Sequence, residues 1–267
     1  MSRRLLIGGA IVAALAGAGL LSLAWTPGRV SGLRIAERLK APLEAGMLGT
    51  DQLGRDVLSL LMAGAANSLG IACAAVATGL LAGAAIGLLA AARGGILDAA
   101  LMRVMDVVFA VPPILSAMML AAFLGGGPGT ATIAIAVFTV PVFARVARAG
   151  AMRVLKRDFV LAARGAGKSS ARIAAEHVAP NVAGDLLVQA TLQLGLAILT
   201  EAGLSFLGLG LAPPAPSWGR MLADSQTFFL QAPWLALAPG FAIALAVLGF
   251  NLLGDGLRDR FDPRRSP

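Results

Sequence analysis

Two carboxylates, Asp106 and Glu201, stand in stretches almost free of other charge, and Gly167-Lys168-Ser169 has the ending of a phosphate-binding loop. Paired carboxylates perform acid–base chemistry, and glycine-rich loops cradle phosphates on backbone N–H groups. The spacing here supports neither. A phosphate-binding loop needs a glycine five positions before Gly167, where Ala162 stands, and a strand ahead of it, where the pattern is helical. Nucleotide binding by this chain is not expected. Neither carboxylate has a second acid near it in sequence to build a metal cage or a protease dyad. His177 is the only histidine, and one ligand does not make a metal site, so it reads as a hydrogen-bonding residue. Cys73, the single cysteine, forms no internal disulfide and in its apolar run reads as an inert core thiol. No catalytic residue, metal ligand or cofactor site is assigned.

The composition explains why the two acids matter. Of 267 residues 58% are apolar and 13% charged, and tyrosine is absent, whereas a soluble domain carries about 45–50% apolar and about 25% charged residues. With a mean hydropathy of +0.82, both a cytosolic globule and a disordered chain are excluded. The net charge of +8 does not indicate nucleic acid, because the basic residues cluster at the ends of apolar runs. In a bilayer a central charge costs about 2.5–3.5 kcal/mol, so Asp106 and Glu201 must face protein or water. They are candidates for lining a pathway. The structural alternative is a satisfied polar pair or, for Asp106, a place near the cytoplasmic interface beside Arg103.

Charge-free stretches run over 5–28, 57–92, 107–144, 186–200 and 225–254, and a membrane helix needs about 18 or more apolar residues. The longest is cut by Gly125-Gly126-Gly127-Pro128-Gly129, a turn composition. The pattern predicts an all-α polytopic membrane protein with about six spans, near 5–25, 66–92, 103–124, 130–148, 184–205 and 234–254. Pro112-Pro113 and Pro141 should kink their helices by removing backbone donors. The first span could instead be a leader, since Arg3-Arg4 precedes it and Ser22-Leu23-Ala24 resembles a cleavage site, but its core is longer than a leader's. Gly79, Gly83 and Gly87 form a small-residue face for close helix packing, within the chain or with a partner. Trp218 and Trp234 read as interfacial anchors.

Basic residues accumulate on cytoplasmic loops. With the N-terminus inside, inner segments carry Arg3, Arg4, Arg93, Arg103, the run from Arg145 to Arg172, and Arg258, Arg260, Arg264 and Arg265. Outer ones carry Arg29, Arg34, Arg38, Lys40, Arg55 and Arg220, offset by Glu37, Glu44, Asp51, Asp56 and Asp224. Both termini are expected in the cytoplasm. The segments are then 1–65, a first span and outer segment; 66–255, the remaining transmembrane domain; and 256–267, a cytoplasmic tail.

The inner loop 149–183 is far longer than a bundle turn requires. It reads as two short helices, 153–166 and 170–178, separated by Gly167, capped at Ser169 or Ser170 and closed by Pro180-Asn181. Phe159, Ala162, Ala163 and Ala166 offer a small-residue surface flanked by Lys156, Arg157 and Arg164. Such a helix suits either docking of another protein or anionic lipid headgroups.

Leu161-Ala162-Ala163, then Gly167, then His177-Val178-Ala179-Pro180 resembles the EAA loop of membrane permeases from binding-protein-dependent ATP-driven importers. Leu48-Gly49-Thr50-Asp51-Gln52-Leu53-Gly54-Arg55-Asp56, Leu204-Ser205-Phe206-Leu207-Gly208-Leu209-Gly210, Pro216-Ser217-Trp218-Gly219 and Phe250-Asn251-Leu252-Leu253-Gly254-Asp255-Gly256 extend the resemblance to the dipeptide, oligopeptide and nickel permease family, in its dipeptide branch. Leu161 stands where the loop's name-giving Glu would be, Ala179 where Leu usually precedes the proline, and 26–47 lacks a common Pro-Tyr-Asp-Pro sequence. The resemblance implies a type I importer permease fold in a bacterial inner membrane and an import function for short peptides, with nickel or another metal chelate as the alternative cargo. It implies a second homologous permease subunit, two ATPase subunits that bind ATP and Mg, and an external substrate-binding protein. It also implies that Phe159, Ala162, Ala163, Arg164, Gly167, Ile173, His177 and Pro180 form the ATPase-coupling loop. An ion-gradient transporter and an intramembrane enzyme using Asp106 and Glu201 are the readings from other classes.

Overall fold

A computed structural model describes residues 3–261; the terminal residues 262–267, with Arg264 and Arg265 of the expected tail, lie outside the described residues. The order is α1 (Arg3–Ser22), α2 (Val57–Arg93), α3 (Gly95–Ala110), α4 (Pro113–Leu124), α5 (Pro128–Leu155), α6 (Asp158–Gly165), α7 (Ser170–Ile173), α8 (Ala179–Phe206), α9 (Trp218–Ser225) and α10 (Trp234–Phe261). Five continuous helices are long and apolar enough to cross a membrane. The pair α3–α4 makes a sixth span if counted together, bent by 86°.

Each boundary has a local cause. Asp56 caps α2, its Oδ2 accepting from the Ser59 N–H at 2.8 Å, which starts the helix at Val57 rather than at 66. Gly94, at φ +63°, ends it. The α3–α4 break falls at Val111-Pro112, where two successive prolines deprive the helix of donors. Pro141 behaves differently: it is fully buried inside α5, which continues through it. The third span begins at Gly95, not 103, so Asp98 belongs to its first turn.

The core lies where α2, α5, α8 and α10 meet, around Phe143, Ile198, Leu204, Ala246 and Trp218. The glycine face is used within the chain. Cβ atoms at Gly79, Gly83 and Gly87 would overlap Thr139, Val140 and Phe143, and Ala144 and Ala147 respectively, all on α5. Close approach matters because lipid supplies no hydrophobic drive for helix association, leaving van der Waals packing to hold the pair. Helix α1 uses the same device: Gly8 lies against Leu253 and Gly249 of α10, and Gly19 against Ala65 and Ala66 of α2. The first span thereby has a fitted place in the bundle.

Trp218 is a core residue, not an interfacial anchor. It is fully buried, its indole N–H donates to the Leu61 carbonyl at 3.0 Å, and its backbone N–H donates to Ser68 Oγ at 3.2 Å. Asn67 Nδ2 donates to the Pro216 carbonyl at 2.7 Å, so the Pro216-Ser217-Trp218-Gly219 motif fastens α9 to α2. Cys73, expected in the core, lies on an exposed face of α2.

Replacing Gly83 by Leu places a side chain against Phe143 Cβ at 2.7 Å and the Ala144 N–H at 3.0 Å, an overpacking expected to cost about 1–3 kcal/mol. Thermal unfolding in detergent should fall for Gly83→Leu, whereas Gly70→Ala, with nothing within 4 Å, should leave it unchanged; equal melting of the two disproves the seam. Trp218→Ala should lose about 3–5 kcal/mol through cavity formation, read as a lower midpoint in the same assay. An unaltered midpoint would place Trp218 outside the core.

Candidate functional site

Helix α6 ends as the sequence predicts. Ala166 caps it, Gly167 adopts φ +79°, the Gly167 N–H donates to the Arg164 carbonyl at 2.9 Å, and the Lys168 N–H donates to the Ala163 carbonyl at 3.2 Å. This paired-bond cap needs a left-handed residue, which glycine supplies without steric penalty. Ser169 then caps α7, its Oγ accepting from the Arg172 N–H. Gly167-Lys168-Ser169 is therefore a helix-to-helix reversal, with Lys168 Nζ on Glu176 Oε2 at 2.6 Å.

The second loop helix does not stop at Pro180. A π-helical turn, Ala174–Val178, joins α7 to α8, with the Ala179 N–H bonded to the Ala174 carbonyl five residues back. Pro180 occupies the first turn of α8. A proline ring collides with the carbonyl four residues before it in a regular helix, and a wider π turn accommodates that crowding. Ser170–Phe206 is consequently one apolar rod of 37 residues. At 1.5 Å per residue it is about 55 Å long, well beyond the roughly 30 Å hydrocarbon core, so its charged Ser170 end projects into water.

The loop has its own core: Val160 and Ala163 of α6 pack with Ile173, Val178 and Val182 against Ala151, Val154 and Leu88. Ala163 thus points inward, correcting its expected place on the small-residue surface, and Ile173 of the loop is buried beneath it. The outward face carries Phe159, Leu161, Ala162, Arg164 and Gly167. His177 is half-buried, with its ring edge-on to Phe159 at 5.9 Å and Nε2 3.3 Å from Lys168 Nζ; its carbonyl accepts from Asn181 Nδ2 at 2.7 Å. Glu176 also accepts from Arg172 Nε at 2.5 Å. Arg153 on α5 pairs with Asp185 on α8 at 2.5 Å. Pro180 is exposed.

The two intramembrane acids occupy different surroundings. Glu201 is completely buried on α8; Ser205 Oγ donates to its Oε1 at 2.6 Å, and Oε2 has no hydrogen-bond partner among the described residues. Glu201, expected as a possible pathway residue, is here enclosed by its own chain. Asp106 pairs with Arg145 of α5 at 2.8 Å, not with Arg103, and both side chains are about half exposed. A more enclosed link, not anticipated from the sequence, lies about two turns away on α3 and one turn away on α5. Arg148 donates through Nε and Nη2 to the two oxygens of Asp98 at 2.5 and 2.6 Å, tying the start of α3 to α5. The only sequence signal was two opposite charges near the ends of neighbouring spans. No group of three or more His, Cys, Asp or Glu able to hold a metal occurs among the described residues.

The outer segment folds tightly ahead of α2. Asp51 Oδ1 accepts from the Leu53 and Arg55 N–H groups at 2.9 and 2.8 Å, and Oδ2 from Arg55 Nε at 2.7 Å, in a buried pair. Gly46, Gly49 and Gly54 have positive φ. A cleft of about 410 Å³ lies between 27–34 and 44–58.

Residues 83–267 match the family described as binding-protein-dependent transport system inner membrane component. The chain is 41% identical to the dipeptide transport system permease protein DppC of Alkalihalophilus pseudofirmus over 86% of this chain and 75% of that protein. It is 45% identical to the di/tripeptide transport system permease protein DppC of Pseudomonas aeruginosa over 82% and 72%. Identity to the glutathione transport system permease protein GsiD of Escherichia coli is 43% over 81% and 71%. The solved MetNI methionine ABC transporter, in an inward-facing conformation, contains a chain of the same fold, with a TM-score of 0.62 at 18% identity over 76% of this chain and 97% of that one. The exposed loop braced on a continuous rod, the five apolar spans with the bent pair α3–α4, and these matches converge: the chain belongs to the inner-membrane permease components of binding-protein-dependent ABC importers.

Proposed function

We propose that this permease imports short peptides and that loop 149–183 is its mechanical connection to separate ATPase subunits. The peptide assignment draws support from the relatives named for dipeptide, tripeptide and glutathione transport, which favour peptides over nickel or another metal chelate. The chain supplies half of the pathway, a second homologous permease supplies the other half, and an external binding protein delivers the substrate. ATP and Mg are held by two partner ATPases, whose closure turns the permease between inward- and outward-facing states. The loop and both termini lie in the cytoplasm, in keeping with the bias of Arg and Lys toward that side.

One observation carries the coupling: the exposed face of α6, with Phe159, Ala162 and Arg164, sits on a core that includes the rod running from Ser170 to Phe206. Phe159 is an apolar anchor 47% exposed, Ala162 leaves room for a closely approaching cleft, and Arg164 supplies charge. Gly167 sets the angle between α6 and α7. His177 braces Phe159, and Pro180 begins the transmembrane part of the rod. Ala163 and Ile173 act from beneath, by keeping α6 seated. Asp106 remains a pathway candidate.

In the complete complex, Ala162→Trp should reduce co-purified ATPase and dipeptide uptake at least tenfold while permease abundance stays constant. Full ATPase recovery with full uptake would eliminate the docking face. Ala163→Trp should lose uptake by a different route, through faster proteolysis within 156–170, because it enlarges a buried side chain. For orientation, Ala166→Cys in a Cys73→Ser background should react with an impermeant maleimide only after the cells are permeabilised. Labelling in intact cells would put the loop on the outer side and end the coupling reading.

A further inference from the structure

The bent pair α3–α4 leaves a long face that no other element of the chain covers, including Val104, Val107 and Met118. Apolar residues there need no explanation, since lipid or another subunit satisfies them. The half-exposed ion pair where α3 meets α5 does. Arg145 Nη2 donates to Asp106 Oδ1 at 2.8 Å with the two side chains 42% and 54% exposed. The guanidinium lies over the Phe109 ring at 4.7 Å, and Phe109 stacks on Phe138 with centroids 5.4 Å apart.

Bracing α3 against α5 does not account for this pair. That task falls to Asp98 and Arg148, whose two short bonds are more enclosed, at 16% and 31% exposure. Ionisable groups on transmembrane helices face protein or water-filled cavities rather than lipid. An exposed ion pair is worth only about 0–1 kcal/mol, so incoming charges exchange into it at little cost. A carboxylate, a guanidinium that accepts carboxylates in bidentate fashion, and two stacked rings together complement a molecule bearing one ammonium, one carboxylate and a flat amide.

We propose that Asp106, Arg145, Phe109 and Phe138 form a transient station for short peptides on the pathway face. Asp106 receives the α-ammonium, Arg145 receives the α-carboxylate, and the phenylalanine pair supports the peptide plane. The Asp106–Arg145 bond opens as the peptide enters and re-forms as it leaves. This return keeps the station weak, as transport requires, because a site that binds tightly does not release. The proposal rests on the peptide reading and adds the groups that contact the cargo inside the membrane.

The test uses the assembled permease–ATPase complex in lipid nanodiscs and an alanyl dipeptide with a benzophenone side chain, in free, N-acetylated and C-amidated forms. Photolabels mapped by mass spectrometry should fall within 104–111 and 138–145, and each blocked form should label at least fivefold less than the free one. Asp106→Asn should abolish the disadvantage of N-acetylation alone, and Arg145→Gln that of amidation alone. A purely structural pair would lower all three probes equally in both variants, which overturns the station. Labels mapping elsewhere, with dipeptide uptake intact, overturn it while leaving peptide import standing. No labelling together with no dipeptide uptake by the complete importer overturns both.

Discussion

Helices α2 and α5 approach to backbone contact along Gly79, Gly83 and Gly87, and most of the molecule's geometry follows from that seam. In hydrocarbon the backbone is satisfied inside each helix and apolar side chains gain nothing by leaving lipid, so contact area at short range decides which helices stay together. The seam fixes α5 over much of its length. Helix α5 then carries Arg145 and Arg148 toward α3, Arg153 toward α8, and Leu155 into the start of the loop.

The loop inherits its rigidity from that placement. Its small core includes Ala151 and Val154 from α5 and Val178 and Val182 from the rod formed by α7, the π turn and α8. A push on the outer face of α6 therefore reaches two membrane-crossing helices through packed side chains rather than through a flexible linker. A π turn at Ala174–Val178 costs regular hydrogen bonding but admits Pro180 without breaking the rod. Continuity matters mechanically, because a hinge at Pro180 would absorb a displacement applied at the Ser170 end.

Polar groups at membrane depth divide into two kinds. Ser68, Asn67 and the Trp218 indole join α2 to the start of α9 and hold these elements in register, while Glu201 and Ser205 bond to each other within α8. Asp98 and Arg148 do the same for α3. Asp106 and Arg145 differ in being half-exposed where α3 meets α5, rather than enclosed within the bundle.

Local features were legible in the residues themselves. The apolar runs, the prolines that break α3 from α4, the reversal at Gly167, the cap at Ser169 and the tight-packing glycines are all marked by residues a few positions apart, although α2 and α3 begin earlier than expected, at Val57 and Gly95. Facing direction was not legible. Ala163 and Ile173 turn inward, Trp218 sinks into the core, Cys73 turns outward and Glu201 is enclosed by its own chain, because in an apolar helix every face looks equally suited to burial. Nor could one-dimensional spacing join Asp106 to Arg145 or Asp98 to Arg148 across separate helices. Composition and punctuation determined that the chain crosses a membrane and where it turns; only packing between distant helices decided which of its few charges are spent on structure and which remain available.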